Sequence, residues 1–193
     1  IKDYSKIEVI TEKGGTAIGA GSRGKVGNIT IQDHAQVTAN CTGTGTGTGT
    51  GIGTNTWGKI GDILIKDYTT VNVTGGNNAA GIGIGYGYES SSNITITDNA
   101  VVTATGGQNA AGIGTAVGGK IEGTISITGN ANVTATGGAN AAGIGTGANY
   151  LYKKSYSKYE QYISSVKNIQ IGGKSTVKAT GGENGAGIGT GQG

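Results

Sequence analysis

The sequence predicts an all-β fold, a parallel β-helix of about six coils with three short strands each, and three observations carry that expectation. One phrase, GGxNAAGIGxG, recurs along the chain; apolar residues keep a fixed register within and between its copies; and 42 of 193 residues are glycine, with no proline. Self-similarity at a period of about 20–50 residues marks a stacked repeat, in which one unit cannot bury its own apolar face. A disordered glycine-rich linker would not hold Ile and Val in register six times.

The phrase reads GGNNAAGIGIG at 75–85, GGQNAAGIGTA at 106–116, GGANAAGIGTG at 137–147 and GGENGAGIGTG at 181–191, with two worn copies at 11–21 and 46–56. A strand-like triplet opens each later unit: Ile29-Thr30-Ile31, Ile63-Leu64-Ile65, Ile94-Thr95-Ile96, Ile125-Ser126-Ile127 and Ile169-Gln170-Ile171. Successive starts are 34, 31, 31 and 44 residues apart, so the basic repeat is 31 and the longer units carry insertions. A second strand follows, as in Val71-Asn72-Val73 and Val102-Thr103-Ala104. The third is the AAGIG segment, whose Ile lies 11 residues after the second strand's apolar residue in five copies. From Val37 to Ile52 the distance is 15, which locates a four-residue insertion in the TGTGTGTG tract.

Alternation with period 2 places one parity inside and the other in solvent. Ile94, Ile96, Ala100, Val102, Ala104, Ala111 and Ile113, with their equivalents, are assigned to the core. Strands this short, joined by Gly, Asn and Asp turns, suit a coil whose equivalent positions stack about 4.8 Å apart. Residues 1–193 read as one array, with excursions near 42–58, 86–92 and 148–167. Ile1-Lys2-Asp3-Tyr4 matches Ile65-Lys66-Asp67-Tyr68 within a coil, so the chain is read as a piece of a longer array.

Charge is mild, +3 overall with charged residues at 13%, and no basic stripe with interleaved aromatics follows the coils, which argues against nucleic acid. No apolar run suggests membrane insertion. The single Cys41 rules out an internal disulfide, leaving a small residue at the edge of the TGTG insertion or an exposed odd thiol forming an intermolecular bridge as its readings. No cofactor, metal or catalytic constellation emerges: the acids are few and lie in turns, His34 has no evident partner, and the chain is read as a non-enzyme.

The TATGGxNAAGIGTG unit resembles the Gly-rich β-helix repeats of large secreted and cell-surface proteins of bacteria, particularly Gram-positive and gut anaerobes. The resemblance covers nearly the whole chain. It implies a right-handed parallel β-helix in an extracellular stalk, adhesin or carbohydrate-associated module, and so speaks for location more than mechanism.

Several columns follow from the alignment. Asp3, Asp33, Asp67 and Asp98 stand at one turn, replaced by Gly129 and Gly173; each Asp capping its own turn through an Asx bond is the expectation, with Ca²⁺ bridging as the alternative. Asn78, Asn109, Asn140 and Asn184 are expected to form an amide ladder. Thr103/Thr105 and Thr134/Thr136 face outward, with partial copies at Thr38/Asn40, Asn72/Thr74 and Lys178/Thr180. Ice-binding solenoids display such ranks, although Thr is also a good outward strand residue. Strict alternation would also turn Gly81, Gly83, Gly112, Gly114, Gly143, Gly145, Gly187 and Gly189 outward, a bare strip that serves as a candidate self-association face.

Insertion 148–167 holds Tyr150, Tyr152, Tyr156, Tyr159 and Tyr162 with Lys153, Lys154 and Lys158. Tyr152, Tyr156, Tyr159, Ile163 and Val166 recur at spacings of 4, 3, 4 and 3, which predicts a short amphipathic helix. With Trp57, Tyr86 and Tyr88 it forms a candidate contact surface for protein or glycan, since Tyr and cations suit both. The expected function is a structural or adhesive extracellular module, with carbohydrate binding as the alternative.

Overall fold

The structure, a computed structural model, describes residues 1–12, 14–42, 49–87, 89–155 and 158–193, with no side chain described over 152–159. The first coil holds β1 (Lys6–Thr11) and β2 (Ile18–Ala20), and the second β3 (Ile29–Ile31), β4 (Gln36–Cys41) and β5 (Ile52–Thr54). The third holds β6 (Ile63–Ile65), β7 (Thr70–Thr74) and β8 (Ile82–Ile84). A two-residue strand, β9 (Glu89–Ser90), precedes the fourth coil: β10 (Ile94–Ile96), β11 (Val101–Thr105) and β12 (Ile113–Thr115). Then come β13 (Lys120–Ile127), β14 (Asn132–Thr136) and β15 (Ile144–Gly145). Last are β16 (Tyr150–Ser155), β17 (Lys158–Tyr162), β18 (Ser165–Ile171), β19 (Thr176–Thr180) and β20 (Ile188–Gly189).

Three parallel sheets result. The middle strands stack as β1-β4-β7-β11-β14-β19 and the glycine strands as β2-β5-β8-β12-β15-β20, while the triplet strands stack as β3-β6-β10-β13-β18 with β9 beside β13. The coil count differs slightly from the expected six, because the first coil has only two of its three strands. Equivalent residues meet in register: Ile63, Ile94 and Ile125; Val71, Val102 and Val133; Ile82, Ile113 and Ile144. The long units keep this register apart from an irregularity between Ile121 and Thr124, so their extra residues lie between the strands of the three stacked sheets. Much of the TGTG tract, 43–48, lies outside the described residues.

Every residue assigned to the core in the fourth coil is buried, from Ile94 to Ile113, and the stacked Ile, Val and Ala columns form one continuous apolar cluster. Cys41 lies in this interior, its Sγ 3.1 Å from the carbonyl oxygens of Gly15 and Thr50. The small-residue reading of Cys41 therefore holds.

The glycine sheet departs from alternation. Gly81, Gly83, Gly112, Gly114, Gly143 and Gly145 are buried, as are Ala79, Ala110 and Ala141, so the strip is no open face; of the eight glycines only Gly187 and Gly189, in the last coil, are partly exposed. Two features close it. The second glycine of each GIG adopts φ between +135° and +147° in Gly53, Gly83, Gly114 and Gly145, a region that glycine alone occupies readily, so the pleat is lost there. The chain also doubles back, Ala111 N–H donating to Thr115 O and Ala142 N–H to Thr146 O, both at 3.0 Å. A Cβ on Gly112 would lie 2.7 Å from Thr136 N and 2.8 Å from Gly143 O, so the missing side chains admit neighbouring backbone of this same chain.

Insertion 148–167 is a β-hairpin, which corrects the expected helix. Strands β16 and β17 pair antiparallel, with Tyr150 opposite Tyr162 and Tyr152 opposite Glu160. The insertion must leave and re-enter the coil at one point, because Ser164 Oγ donates to Ala148 O at 2.7 Å. A helix over the intervening residues would run about 20 Å and separate those ends, whereas a hairpin joins them.

Candidate functional site

Two turn columns and one amide ladder dominate the surface. In the first column the four aspartates take left-handed backbone, φ 59° to 64°, and Gly129 and Gly173 continue it at 67° and 68°. Asp, Asn and Gly tolerate that conformation, which explains why glycine replaces the acid. The carboxylates do not cap their own turns as expected. Three of them, Asp33, Asp67 and Asp98, accept from the N–H of the aspartate one coil earlier: Asp3 to Asp33 at 3.0 Å, Asp33 to Asp67 at 3.1 Å and Asp67 to Asp98 at 3.3 Å. The N–H donated by Asp33, with Lys66 nearby, outweighs partial burial and holds the Asp67 carboxyl below its usual range. Among the described residues no group of three His, Cys, Asp or Glu converges as a metal site would require.

His34 follows this column and does have partners. Its ring stacks between Tyr4 at 4.7 Å and Tyr68 at 5.3 Å, with interplanar angles of 15° and 11°. The three side chains sit one residue after Asp3, Asp33 and Asp67, a spacing legible in the sequence.

The asparagine ladder forms as expected. Asn109 Nδ2 donates to Asn78 Oδ1 at 2.7 Å, Asn140 to Asn109 at 2.7 Å and Asn184 to Asn140 at 2.8 Å. A second ladder was missed: Asn28 Oδ1 accepts from Asp62 N–H, Asp62 Oδ1 from Asn93 N–H, and Asn93 Oδ1 from Thr124 N–H, at 2.7 to 2.9 Å. Its signal was the polar residue preceding each Ile-x-Ile triplet.

The other turn column gathers the aromatics. After the first four glycine strands the backbone passes through left-handed geometry at Arg23, Trp57, Gly87 and Gly118, with φ from 56° to 67°. A bulky residue such as Trp57 pays for that conformation and persists only where its surroundings hold it. Here the indole lies over Gly87, whose absent Cβ would be 3.2 Å from the ring. Trp57 meets Tyr86 and Tyr162 edge-on, both at 6.5 Å, and Tyr86 meets Tyr150 at 5.3 Å and 84°. The hairpin therefore brings Tyr150 and Tyr162 onto a corner built from coils far apart in sequence. Ser164 pins its foot: Gly118 N–H donates to Ser164 Oγ at 2.8 Å, and Ser164 N–H to Asn149 Oδ1 at 2.9 Å.

Of the candidate contact residues, Trp57, Tyr86, Tyr150 and Tyr162 form one cluster. Tyr152, Lys153, Lys154, Lys158 and Tyr159 belong to the hairpin strands, and Tyr88 and Tyr156 lie outside the described residues. Between the aromatic corner and the asparagine ladder lies a cavity of about 520 Å³, bordered by Asn78 and Asn109 on one side and by Tyr86, Tyr150 and Asn149 on the other. The outward Thr ranks are in register on the middle sheet, Thr103 beside Thr134 and Thr74, Thr105, Thr136 and Thr180 in line, with Asn72 and Lys178 interrupting the first rank.

Comparison of the chain with family models, with curated proteins and with solved structures finds no match.

Proposed function

We propose that this chain is a non-enzymatic structural and adhesive module of the cell exterior: a rigid spacer that carries the 150–162 hairpin as its contact element. The observation that carries the reading is that the hairpin is the one described element outside the three stacked sheets, and it carries exposed apolar side chains. On the rod, the Asp and Asn turn columns bond one another from coil to coil. On and beside the hairpin, Tyr150, Leu151 and Ile163 stand 41%, 59% and 53% exposed. Adjacent exposed apolar side chains favour a partner surface. The extracellular placement rests on the resemblance of the repeat to cell-surface arrays. With the glycine strip closed, self-association through it is dropped.

The test removes the hairpin by joining Asn149 directly to Ser164, as Gly118 joins Gly119 one coil earlier. Electron microscopy should show unchanged rods. Beads coated with the intact module should attach to mucin- or matrix-coated surfaces, and beads carrying the shortened one should not. Equal attachment by both forms would remove the hairpin from any adhesive role.

A further inference from the structure

We infer that the cavity between the asparagine ladder and the aromatic corner is a binding site for a short, uncharged saccharide lying along the coil axis. The site goes beyond the adhesive reading, for the hairpin contributes only Tyr150 to it.

Three properties of the groove select that ligand class. Its size, about 520 Å³, falls within the range of about 300–1,000 Å³ typical of small-ligand sites. It runs along the solenoid, since Tyr86 follows the third glycine strand and Gln192 the sixth, and three coil steps amount to about 14 Å. A short oligosaccharide has that elongated form.

The second property is a fixed row of paired donors and acceptors. A primary amide offers two N–H groups and two lone pairs. Within the ladder Asn109 spends one N–H on Asn78 and receives one bond from Asn140, so each interior rung keeps a donor and an acceptor in reserve. Two rungs, Asn78 and Asn109, line the cavity, and their mutual bond holds both amides in orientation. Vicinal hydroxyls, each both donor and acceptor, complement them. Asn149 is anchored through its carbonyl oxygen, which accepts from Ser164, so its NH₂ is not used in that bond.

The third property is an aromatic wall facing an uncharged lining. Tyr86 touches Trp57, Tyr150 and Tyr162, so its ring is locked before any ligand arrives. Such preorganisation lowers the ordering cost of binding. Val117 and Ala148 supply apolar floor, and among the described residues that line the cavity there is no Asp, Glu, Lys or Arg. A phosphate, sulfate or uronate would find no cation among these described residues to offset its desolvation. A neutral pyranose instead lays its C–H face on a Tyr ring and its hydroxyls on the amides.

The experiment titrates the intact chain with neutral di- and trisaccharides of glucose, mannose and N-acetylglucosamine, beside galacturonate oligomers of equal length. Calorimetry is read together with the side-chain amide NMR signals and Trp57 fluorescence. At least one neutral saccharide should shift the amide signals of Asn78 and Asn109 and change the indole emission, with galacturonates binding at least tenfold more weakly. Tyr150→Ala should weaken binding at least tenfold and Tyr150→Phe by less than about threefold, the ring being what is needed. The amide shifts on the unmutated protein stand even if Tyr150→Ala disturbs the hairpin. Absence of any response at 10 mM, equal binding of the uronates, or shifts confined to the outward Thr ranks would overturn the assignment. So would a proline-rich peptide that moves the same amides while saccharides do not. Because the hairpin-deletion test reads attachment and this one reads amide shifts, either reading can fail without the other.

Discussion

Gly114 shows what a single residue must supply in this fold. At φ +142° its absent Cβ would fall onto the carbonyl of Gly145 in the next coil, and Gly53, Gly83 and Gly145 repeat the arrangement. Both the dihedral and the contact exclude a side chain, and such backbone costs an L-residue about 1–3 kcal/mol before the clash is counted. Gly21 is the natural comparison, since nothing lies within 4 Å of its Cβ position. Gly114→Ala should cost at least about 3 kcal/mol in a urea melt, and Gly21→Ala less than about 0.5 kcal/mol. If the two variants melt alike, the glycine strand relaxes more easily than its register implies.

At the scale of the element, the ladders convert repetition into side-chain bonding between coils. The aspartate ladder carries a pH signature. The Asp67 carboxyl is held low mainly by the N–H of Asp33, so as pH falls the unfolded chain takes up the proton first. The stability it contributes is complete above the ordinary carboxyl value near 3.9 and is lost as pH falls through the lower folded value. Thermal melts of the wild type should therefore lose stability below about pH 4. Asp67→Asn should flatten part of that slope, because the amide oxygen still accepts but does not titrate in this range. An unchanged slope in the variant would show that the ladder bond contributes nothing to acid sensitivity. Asp67→Gly should also fold, as Gly129 and Gly173 occupy the same left-handed turn.

For the molecule as a whole, each coil contacts mainly its two neighbours, so stability should grade along the axis. Ile94, Ala104 and Ile113 in the fourth coil are fully buried, whereas the inward Ile7 and Ile18 of the first coil are only partly buried and Ile171 and Ile188 at the other end are 40% and 49% exposed. Amide hydrogen exchange should be slowest in β10, β11 and β12 and quicken toward β1 and toward β18, β19 and β20. Uniform protection from the first coil to the last would indicate a single cooperative unit.

By itself the sequence determined the coil. Ile and Val at fixed spacing left one way to bury an apolar face, and identical turns carried the Asp and Asn columns into line; even the missed ladder through Asn28, Asp62 and Asn93 was written in its spacing. What only the tertiary structure decided depends on backbone geometry and on closure. Strict alternation turned Gly112 and Gly114 outward because it assumed a pleat, but Gly114 leaves the pleat at φ +142° and the chain packs onto itself. Tyr and Ile at helical spacing in 148–167 misled because the hydrogen bond from Ser164 to Ala148 requires both ends of the insertion to meet, a constraint that no local periodicity records. The aromatic corner was hidden for the same reason. Trp57, Tyr86 and Tyr162 are distant in sequence and become neighbours only when left-handed turns stack and a hairpin folds back over them.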